Sequence, residues 1–397
     1  MEFLFFQMNR VFFSNVVIIL LIMTGCVGGN QSTDALITVD VMEKYPKKEL
    51  ALQDFLDVEY IPLETTDEFV CQGEVLAVGK SIIIVKNQIN DGNIYIFDRN
   101  GKGLRIINHR GRGGEEYLYI NGFTLDEDNN EILVDDVGKI LVYDLYGKFI
   151  RSFQKWWEWG RIYNYDREHW ICKVASPNTG NDKVNNQQFT IVFKNNGSIV
   201  RDFRINFKQK IETSMRLVRG EAIYGSSVGY FPIIPYNDSW ILTEPSSDTI
   251  YRLSTNYDLI PFMARIPSIQ TMTPEVFLFP SIFTERYYFM ETVKKEGDLE
   301  KRIGLFPKTH LVYDKQERAI YEYTVHNDDF STKSLVDMSQ KAINKEIAFW
   351  QKLEAYQLVE AYERGQLKGK LKEIAMGLEE ESNPVIMLAK LKTKSYE

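Results

Sequence analysis

The fold is decided by residues 110–153, which read RGRGGEEYLYINGFTLDEDNNEILVDDVGKILVYDLYGKFIRSF. A glycine-rich corner opens this stretch. Four short apolar segments follow, separated by turns rich in Asp, Asn and Gly, residues that tolerate the positive φ of tight turns. The segments predict strands at Tyr119–Leu125, Glu131–Asp135, Lys139–Tyr143 and Phe149–Phe153. Four strands joined by short turns form an antiparallel meander, which is the unit of a β-propeller blade.

The same strand and turn recur along the chain. The copies are Ile94–Lys102 (IYIFDRNGK), Ile140–Lys148 (ILVYDLYGK), Thr190–Gly197, Thr249–Asn256 and His310–Glu317. Their turn positions are 98, 144, 194, 254 and 314, a spacing typical of propeller blades, and Lys194 stands where the first two copies have Asp. Five copies are visible, so a sixth blade would have to be built from the two ends of the chain, which closes the ring and removes its edge strands.

The pattern changes near the C-terminus. Apolar residues at helical spacing predict helices within residues 339–381, and a short apolar strand follows at 384–392. We interpret the helices as an insertion packed on the ring and the last strand as its closure. The sequence therefore predicts an all-β chain: a six-bladed β-propeller of four-stranded antiparallel blades at residues 35–397, with a helical insertion near the C-terminus.

The first 25 residues predict a lipoprotein signal peptide. Arg10 precedes the apolar run Val11–Met23, which has the length of a signal-peptide core and is too short to span a bilayer. Met23–Cys26 (MTGC) resembles a bacterial lipobox, which implies that Cys26 is lipidated and begins the mature chain. Residues 26–34 are small and polar, as in a tether. No acidic residue follows Cys26 directly, which favours an outer-membrane anchor facing the periplasm over the cell surface.

Composition narrows the class of partner. The chain carries 47 basic and 55 acidic residues, a net charge of −8, and no long basic run. This argues against nucleic-acid binding, which requires a clustered basic face. With Cys26 acylated, only Cys71 and Cys172 remain, too few for a disulfide framework. They could pair in an oxidising compartment, but we expect two separately buried thiols.

Three motifs resemble those of the six-bladed β-propeller lipoproteins of Bacteroides and relatives. They are Tyr60–Thr66 (YIPLETT) before the first blade, Gly111–Tyr117 (GRGGEEY) in the corner, and Asn383–Lys392 (NPVIMLAKLK) in the last strand. The corner departs from the family's pattern at Gly114 and Glu115, where Pro and Gly are expected. The corner and blade also resemble NHL-type repeats. The resemblance covers nearly all of the mature chain and implies the fold, without implying an activity.

Two groups of residues are candidates for ligand binding. Trp156, Trp157 and Trp159 lie in a connection between blades and could stack on a sugar, face lipid or anchor a partner, although Trp also fills cores. Arg110 and Arg112 flank the glycine-rich corner, whose N–H groups could hold an anion. A corner between blades also needs glycine for backbone reasons alone.

Catalytic signals are weak. The four histidines are isolated from one another, and the sequence has no nucleophile elbow, P-loop or dinucleotide fingerprint. The leading hypothesis is therefore a non-enzymatic module that is anchored to the membrane through its lipid. It would bind a ligand or an envelope protein through one face of the ring.

Two alternatives remain open. One is a glycan-binding lipoprotein of a saccharide-uptake system, based on the tryptophans. The other is a lactonase-like hydrolase or lyase with a metal in the channel, since related propellers hold a metal there. Five segments are predicted to be inner strands: Gly73–Val78, Tyr119–Leu125, Gly160–Tyr165, Tyr230–Ile234 and Tyr287–Glu291. Their candidate polar residues in the channel are Glu74, Asn121, Asn164 and Glu291. Hard cations favour clustered carboxylates, so candidate calcium ligands are Asp126, Glu127, Asp128, Asp135 and Asp136.

Overall fold

The computed structural model describes residues 36–154, 159–174, 188–340 and 342–392. The N-terminal elements are β1 Ile37–Asp40, β2 Lys47–Ala51, α1 Leu52–Phe55 and β3 Leu56–Pro62. The next twelve strands are β4 Glu74–Val78, β5 Ile82–Lys86, β6 Asn93–Asp98, β7 Gly103–Asn108, β8 Gly122–Asp126, β9 Glu131–Asp135, β10 Lys139–Asp144, β11 Phe149–Gln154, β12 Trp159–Asn164, β13 His169–Val174, β14 Phe189–Phe193 and β15 Ile199–Phe203.

The second half of the chain continues the same succession of strands. A hairpin comes first, β16 Ser214–Arg219 and β17 Ala222–Ser227. The following strands are β18 Ile233–Tyr236, β19 Ser239–Leu242, β20 Thr249–Leu253, β21 Leu259–Ile266, β22 Val276–Phe283, β23 Tyr287–Lys294, β24 Lys308–Asp314, β25 Ala319–Asn327 and β26 Ser334–Leu335. The last elements are β27 Ile347–Leu353, α2 Ala355–Glu363, α3 Gly369–Ala375 and β28 Val385–Leu391. None of the helices in the described residues is long and apolar enough to cross a membrane.

Six sheets form the six blades of a propeller. The hydrogen-bonded orders are β4–β5–β6–β7, β8–β9–β10–β11, β12–β13–β14–β15, β18–β19–β20–β21, β22–β23–β24–β25 and β27–β28–β3. β4 contacts both β8 and β27, and β8 contacts β12, so the first strand of each blade is the inner one around the channel. The predicted fold class is confirmed. Blade six has three hydrogen-bonded strands within the described residues.

The N-terminal residues 37–62 form a strap along three blades. β1 adds to the outer strand of blade four in parallel, with Ile37 opposite Met263. β2 does the same on blade five, with Leu50 opposite Val325. β3 then pairs antiparallel with β28 and becomes the third strand of blade six. The ring is thus closed by both ends of the chain, which covers the strand edges that an open ring would expose.

The core lies between the blades, and the second strand of each blade is the most buried. In β5, Ile83, Ile84 and Val85 are fully buried, because a blade packs against a neighbour on each face. Such strands are therefore continuous apolar runs instead of alternating ones. Each buried Ile or Val contributes about 1.5–3 kcal/mol relative to leaving it exposed. Cys71 and Cys172 lie in different core clusters as buried thiols, as predicted.

Two predicted elements are wrong. The region 339–381 was expected to be helical, but Ile347–Leu353 is the inner strand of blade six and pairs with β28. Ile347, Ala348 and Phe349 are consecutively buried, which a strand covered on both faces explains and a helical stripe does not. Only 355–363 and 369–375 are helices.

The second error concerns blade five. Tyr287–Glu291 was expected to be an inner strand, but it belongs to β23, the second strand. The inner strand is β22, which contains Pro280. Proline lacks the N–H that a central strand donates, and it is tolerated here because one edge of an inner strand faces the channel.

Candidate functional site

All inner strands run in the same direction, so one face of the ring collects their first residues. The loops between second and third strands and the connections between blades meet at that same face, by the up-and-down order of each sheet. Three cavities lie there, with volumes of about 140, 210 and 410 Å³. Asn121 lines the first two cavities, and Arg161 lines the second and third. Neighbouring cavities therefore share a lining residue, and we call the three together the groove.

The first end of the groove, here the amide end, lies between blades one and two. Its loop is residues 87–93 (NQINDGN), which joins β5 to β6, and its other wall is Tyr119–Asn121. Tyr119 is 49% exposed and lines the cavity, so part of the residue is accessible to a ligand. Asn121 lies at the rim, where its backbone N–H donates to Asp135 O at 2.9 Å.

The side chains of the amide end hold one another in place. Asn87 Nδ2 donates to Asp91 Oδ2 at 2.7 Å, and Asn93 Nδ2 donates to the same oxygen at 3.1 Å. Asn108 Nδ2 donates to Asn93 Oδ1 at 2.8 Å, and Asn90 Nδ2 donates to Leu118 O at 3.2 Å. Asn87 and Asn93 also donate to the Tyr95 hydroxyl, and Asn108 donates to Asp91 O, so these three amides use both of their N–H groups within the protein. Their carbonyl oxygens can accept further hydrogen bonds, so they offer a ligand acceptors.

The middle of the groove joins blades two and three. It is lined by the start of β8, by Asp135 at the end of β9 and by Gly160–Ile162 of β12. Thr124 Oγ1 donates to Ile162 O at 3.0 Å and ties the two inner strands together. The walls here are fixed by backbone, so this part of the groove is preformed.

The largest cavity, here the cationic end, is bounded by blades three, four and five and by Ser339 before blade six. Tyr230 stacks on Phe279, with ring centroids 4.7 Å apart, and Phe279 stacks on Phe277 at 5.5 Å. These rings make an apolar wall. Arg161 is exposed at the rim, and burial raises the pKa of the neighbouring Tyr163 to about 12 against the lowering effect of the Arg161 charge.

Glu291 is the buried carboxylate of the cationic end. Lys308 Nζ lies 2.9 Å from Glu291 Oε1, and the Glu291 side chain is 6% exposed while that of Lys308 is 42% exposed. The lysine neutralises the glutamate and still reaches solvent. Since Arg161 adds a further charge, the lining of this cavity carries a net positive charge in a chain whose net charge is −8.

A second buried carboxylate lies behind the aromatic wall. Glu244 is bound by Lys173 at 3.1 Å and by Lys210 at 2.8 Å. Burial acts to raise the pKa of Glu244, but the charges and hydrogen bonds of the two lysines outweigh it and lower the pKa to about 2. Lys173 Nζ also lies 5.4 Å from the centroid of the Tyr230 ring. The contacts of these lysines with Glu244 and of Lys173 with Tyr230 therefore stabilise the aromatic wall of the cationic end.

One hydroxyl–imidazole pair lies at the same cavity. Ser339 Oγ is 3.0 Å from His310 Nδ1, and Ser339 lines the cationic end of the groove. His310 is the cross-strand partner of Glu291. A serine bonded to an imidazole is the elementary unit of nucleophilic catalysis, although such a pair also occurs as a plain structural hydrogen bond.

The four predicted channel residues do not converge. Asn121 and Glu291 line the groove at opposite ends. Glu74, at the start of β4, forms an ion pair with Lys86 at 3.0 Å. Asn164 accepts a hydrogen bond from Lys194 in a network between blades two and three. Within the described residues, no three His, Cys, Asp or Glu side chains form a group that could hold a metal ion.

The candidate calcium carboxylates have separate partners. Asp126 pairs with Lys194, Glu127 accepts from the backbone N–H of Lys80, and Asp136 accepts from that of Tyr119. Asp135 supplies a wall of the groove, and Asp128 lies in the turn after β8. The structure thus distributes these side chains among structural contacts.

The glycine-rich corner carries an anion of its own. Glu116 Oε2 accepts from Gly113 N at 2.7 Å, and a Cβ on Gly111 would lie 2.0 Å from the same oxygen. The buried Tyr117 anchors the corner by donating to Gly92 O at 2.7 Å. Arg110 and Arg112 are exposed beside it. The space above these glycines is therefore filled by the carboxylate of Glu116.

The tryptophan candidates fall mostly outside the described part of the chain, as does Cys26. Trp156 and Trp157 lie outside it. Trp159 begins β12 directly before Gly160 and Arg161 of the groove, and the structure does not describe its side chain. Sequence reasoning missed Tyr119, Lys308, Tyr230 and Phe279. The run of amides and Asp at residues 87–93 was the one available signal, since it is longer than a tight turn needs.

Comparisons with known proteins agree on the fold. The model of the family DUF5128, described as a 6-bladed beta-propeller, matches residues 29–349. No curated protein matches the sequence. A solved structure from Bacteroides fragilis, described as an exported protein, is similar with a TM-score of 0.56 and 16% identity, covering 87% of this chain and 99% of that one.

Other solved propellers are more distant. BamB from Moraxella catarrhalis has a TM-score of 0.38 and 9% identity, covering 85% of this chain and 100% of that one. Virginiamycin B lyase from Staphylococcus aureus has a TM-score of 0.30 and 10% identity, covering 67% of this chain and 97% of that one. At these values the similarities carry no argument about function.

Proposed function

The chain belongs to the DUF5128 family of six-bladed β-propellers, and we propose that it is a lipid-anchored propeller of the cell envelope that binds an extended ligand in the groove without transforming it. The observation that carries the proposal is the sharing of Asn121 and Arg161 between neighbouring cavities. Their combined space reaches from blade one to blade five. Such a depression fits a chain-like ligand better than a compact metabolite.

The anchor rests on the sequence. The lipobox ending at Cys26 supports acylation, and the short polar segment after it would tether the ring close to the membrane. The similar Bacteroides fragilis protein is described as exported, which agrees with an envelope location. Tethering raises the local concentration of ligand-binding sites at the membrane surface, as expected of a capture module.

A non-catalytic role follows from how the polar groups of the groove are used. Glu291 is neutralised by Lys308, and the amides of the first end bond to one another. These arrangements position a ligand by hydrogen bonds and stacking. Each of these polar groups is held by a partner within the protein, so we assign them to positioning a ligand.

The competing function is a hydrolase or lyase, and one observation favours it. Ser339 Oγ and His310 Nδ1 are 3.0 Å apart at the largest cavity. In that case a bound ligand would be converted, and Ser339→Ala or His310→Gln would stop the conversion while leaving binding intact.

The test is native mass spectrometry of the full chain in detergent with a mixture of oligosaccharides and peptides. Asn121→Trp should place a bulky ring where two cavities meet and abolish binding. Asn100→Trp introduces the same side chain at an exposed residue outside the groove lining and should bind as the unsubstituted chain does. We expect the released ligand to have an unchanged mass. Products whose formation depends on Ser339 and His310 would overturn the non-catalytic role, and binding that survives Asn121→Trp would overturn the groove.

A further inference from the structure

The two ends of the groove differ in chemistry, and the difference identifies a class of ligand. Resting on the proposed function, we infer that the groove binds an acidic oligosaccharide. Neutral sugar hydroxyls would meet the amide end, and a carboxylate of the same chain would meet Arg161 and Lys308.

The amide end matches a sugar. A sugar hydroxyl can donate to the side-chain oxygens of asparagine and aspartate, which keep the capacity to accept further hydrogen bonds here. Here three asparagines and Asp91 form one hydrogen-bonded set, which fixes the direction of each amide before a ligand arrives. Preorganised polar groups avoid the entropic cost of ordering on binding.

Tyr119 supplies the second element of sugar recognition. Tyr119 is 49% exposed as a residue and lines the same cavity as the amides. One face of a pyranose ring presents C–H groups, which pack on the negative face of an aromatic ring, while the hydroxyls around its edge reach polar side chains. An aromatic ring next to side-chain amides can therefore contact both the C–H face and the edge hydroxyls of one sugar.

The other end selects for charge. Arg161 is exposed, and Lys308 is 42% exposed while it neutralises Glu291. Guanidinium and ammonium groups bind a carboxylate by charge-assisted hydrogen bonds. The chain as a whole has a net charge of −8 and repels anions at a distance. The positive lining of the cationic end therefore indicates a local preference for an anionic ligand.

The aromatic wall of the cationic end accommodates the body of the acidic unit. Tyr230 and Phe279 form a continuous stacked surface next to these cations. A sugar acid presents a carboxylate on one side of its ring and C–H groups on its face. The wall and the two cations can therefore engage one residue of the ligand at the same time.

An acidic peptide would satisfy the cations, but the amide end favours a saccharide. A peptide offers alternating N–H and C=O groups along a backbone and is normally bound by pairing with a strand edge. At this end the groove presents side-chain amides from the loop 87–93 and a tyrosine ring instead. Polyglutamate is therefore included as a competing probe.

The experiment is titration calorimetry of the full chain in detergent at low salt. The probes are oligomers of polygalacturonate, alginate and hyaluronan, their carboxyl-reduced forms, and polyglutamate. Carboxyl reduction replaces the carboxylate by a hydroxymethyl group and keeps the sugar skeleton, so it isolates the charge. We expect at least one acidic oligomer to bind. The affinity of its reduced form should be lower by at least about tenfold.

Matched variants separate the two ends. Arg161→Gln should lower the affinity for the acidic oligomer about tenfold and leave the affinity for the reduced form unchanged, because only the charge-assisted hydrogen bond is lost. Tyr119→Ala should lower the affinity for the acidic and the reduced oligomer by the same factor. The exposed residues Arg167 and Tyr146 lie outside the groove lining, so Arg167→Gln and Tyr146→Ala serve as controls and should leave the affinity for both oligomers unchanged.

Each failure has its own meaning. Equal binding of acidic and reduced oligomers would overturn the acidic assignment and leave the groove as a neutral sugar site. Binding of polyglutamate alone, abolished by Asn121→Trp, would overturn the saccharide and leave the proposed function standing. If none of these probes binds while native mass spectrometry still finds a ligand that Asn121→Trp removes, the saccharide assignment is contradicted and the proposed function stands. If neither experiment finds such a ligand, the proposed function is contradicted as well.

Discussion

Lys194 Nζ lies 2.6 Å from Asp126 Oδ2, and both side chains are almost completely buried. Lys194 also donates to Asn164 Oδ1, so it links the inner strands of blades two and three. In the equivalent turns Asp98 and Asp144 cap their own hairpins by accepting backbone N–H groups. Blade three has exchanged this turn cap for a bond between blades.

Removal of Lys194 should destabilise the ring. Lys194→Met would leave Asp126 buried without its counter-charge, and breaking such a pair from one side costs about 3–5 kcal/mol. The free energy of unfolding from urea titration measures this. Lys148→Met removes an exposed lysine of the preceding turn and should change it by less than about 0.5 kcal/mol. An equal effect of both substitutions would contradict the role of the buried pair.

The repeat could be predicted from the sequence because it is local. An apolar strand ending in an Asx-Gly turn needs only nine residues to identify, as in Ile94–Lys102 and Ile140–Lys148. The exchange at Lys194 was visible as a departure from the pattern. Its partner Asp126 was not visible, because 68 residues separate the two in the chain.

The two wrong elements, β27 and the inner strand of blade five, have one cause in common. Each of these strands is buried on both of its faces. Ile347–Leu353 is an apolar run whose spacing also fits a helix, and its true partner Val385–Leu391 follows only after both helices. β22 was passed over although it is buried along its whole length. Periodicity cannot distinguish a doubly covered strand from a buried helical segment.

The candidate site could be predicted only in part. Asn121 and Glu291 were identified as polar residues on strands near the channel, and both line the groove. Tyr119 and Lys308 were not identified, since nothing in an isolated loop or strand start indicates which cavity it borders. A groove assembled from five blades is a property of the closed ring.

Stability should depend on pH through Glu244. Its folded pKa of about 2 lies below the ordinary value, so its contribution is complete above about pH 5 and is lost as the pH falls toward 2. The loss should reach about 3 kcal/mol, since one pKa unit corresponds to about 1.4 kcal/mol.

Urea titrations of the unsubstituted chain and of Glu244→Gln, repeated across this range, measure the effect. The difference in unfolding free energy between the two should shrink as the pH falls. Lys173 and Lys210 are the partners responsible. A difference that stays constant between pH 6 and about 2.5 would contradict the assignment to Glu244.

The two buried thiols should be unreactive in the folded protein. Burial raises the pKa of Cys71 to about 11, so little thiolate forms at neutral pH. Cys172 lies in the core beside Trp170, and its Sγ donates to Thr190 O at 3.8 Å. Ellman's reagent should label both only after denaturation. Rapid labelling of either thiol in the native state would contradict their burial.

Cys26 should carry the membrane anchor. Cys26→Ala removes the acylation site, so metabolic labelling with palmitate should be lost. Substitution of the buried Cys71 by Ala serves as the control and should retain the label. Labelling that persists in Cys26→Ala would show that the lipobox interpretation is wrong.

The most direct test of the groove is amide hydrogen exchange of the full chain with and without the saccharide that binds most tightly. The account predicts slower exchange at residues 87–93, 119–124, 160–163 and 229–232, which line the three cavities on one face. Asn121→Trp should abolish the protection, and Asn100→Trp, outside the groove lining, should retain it. Protection confined to the outer strands β7, β11 and β15, with the groove unchanged, would contradict the central claim.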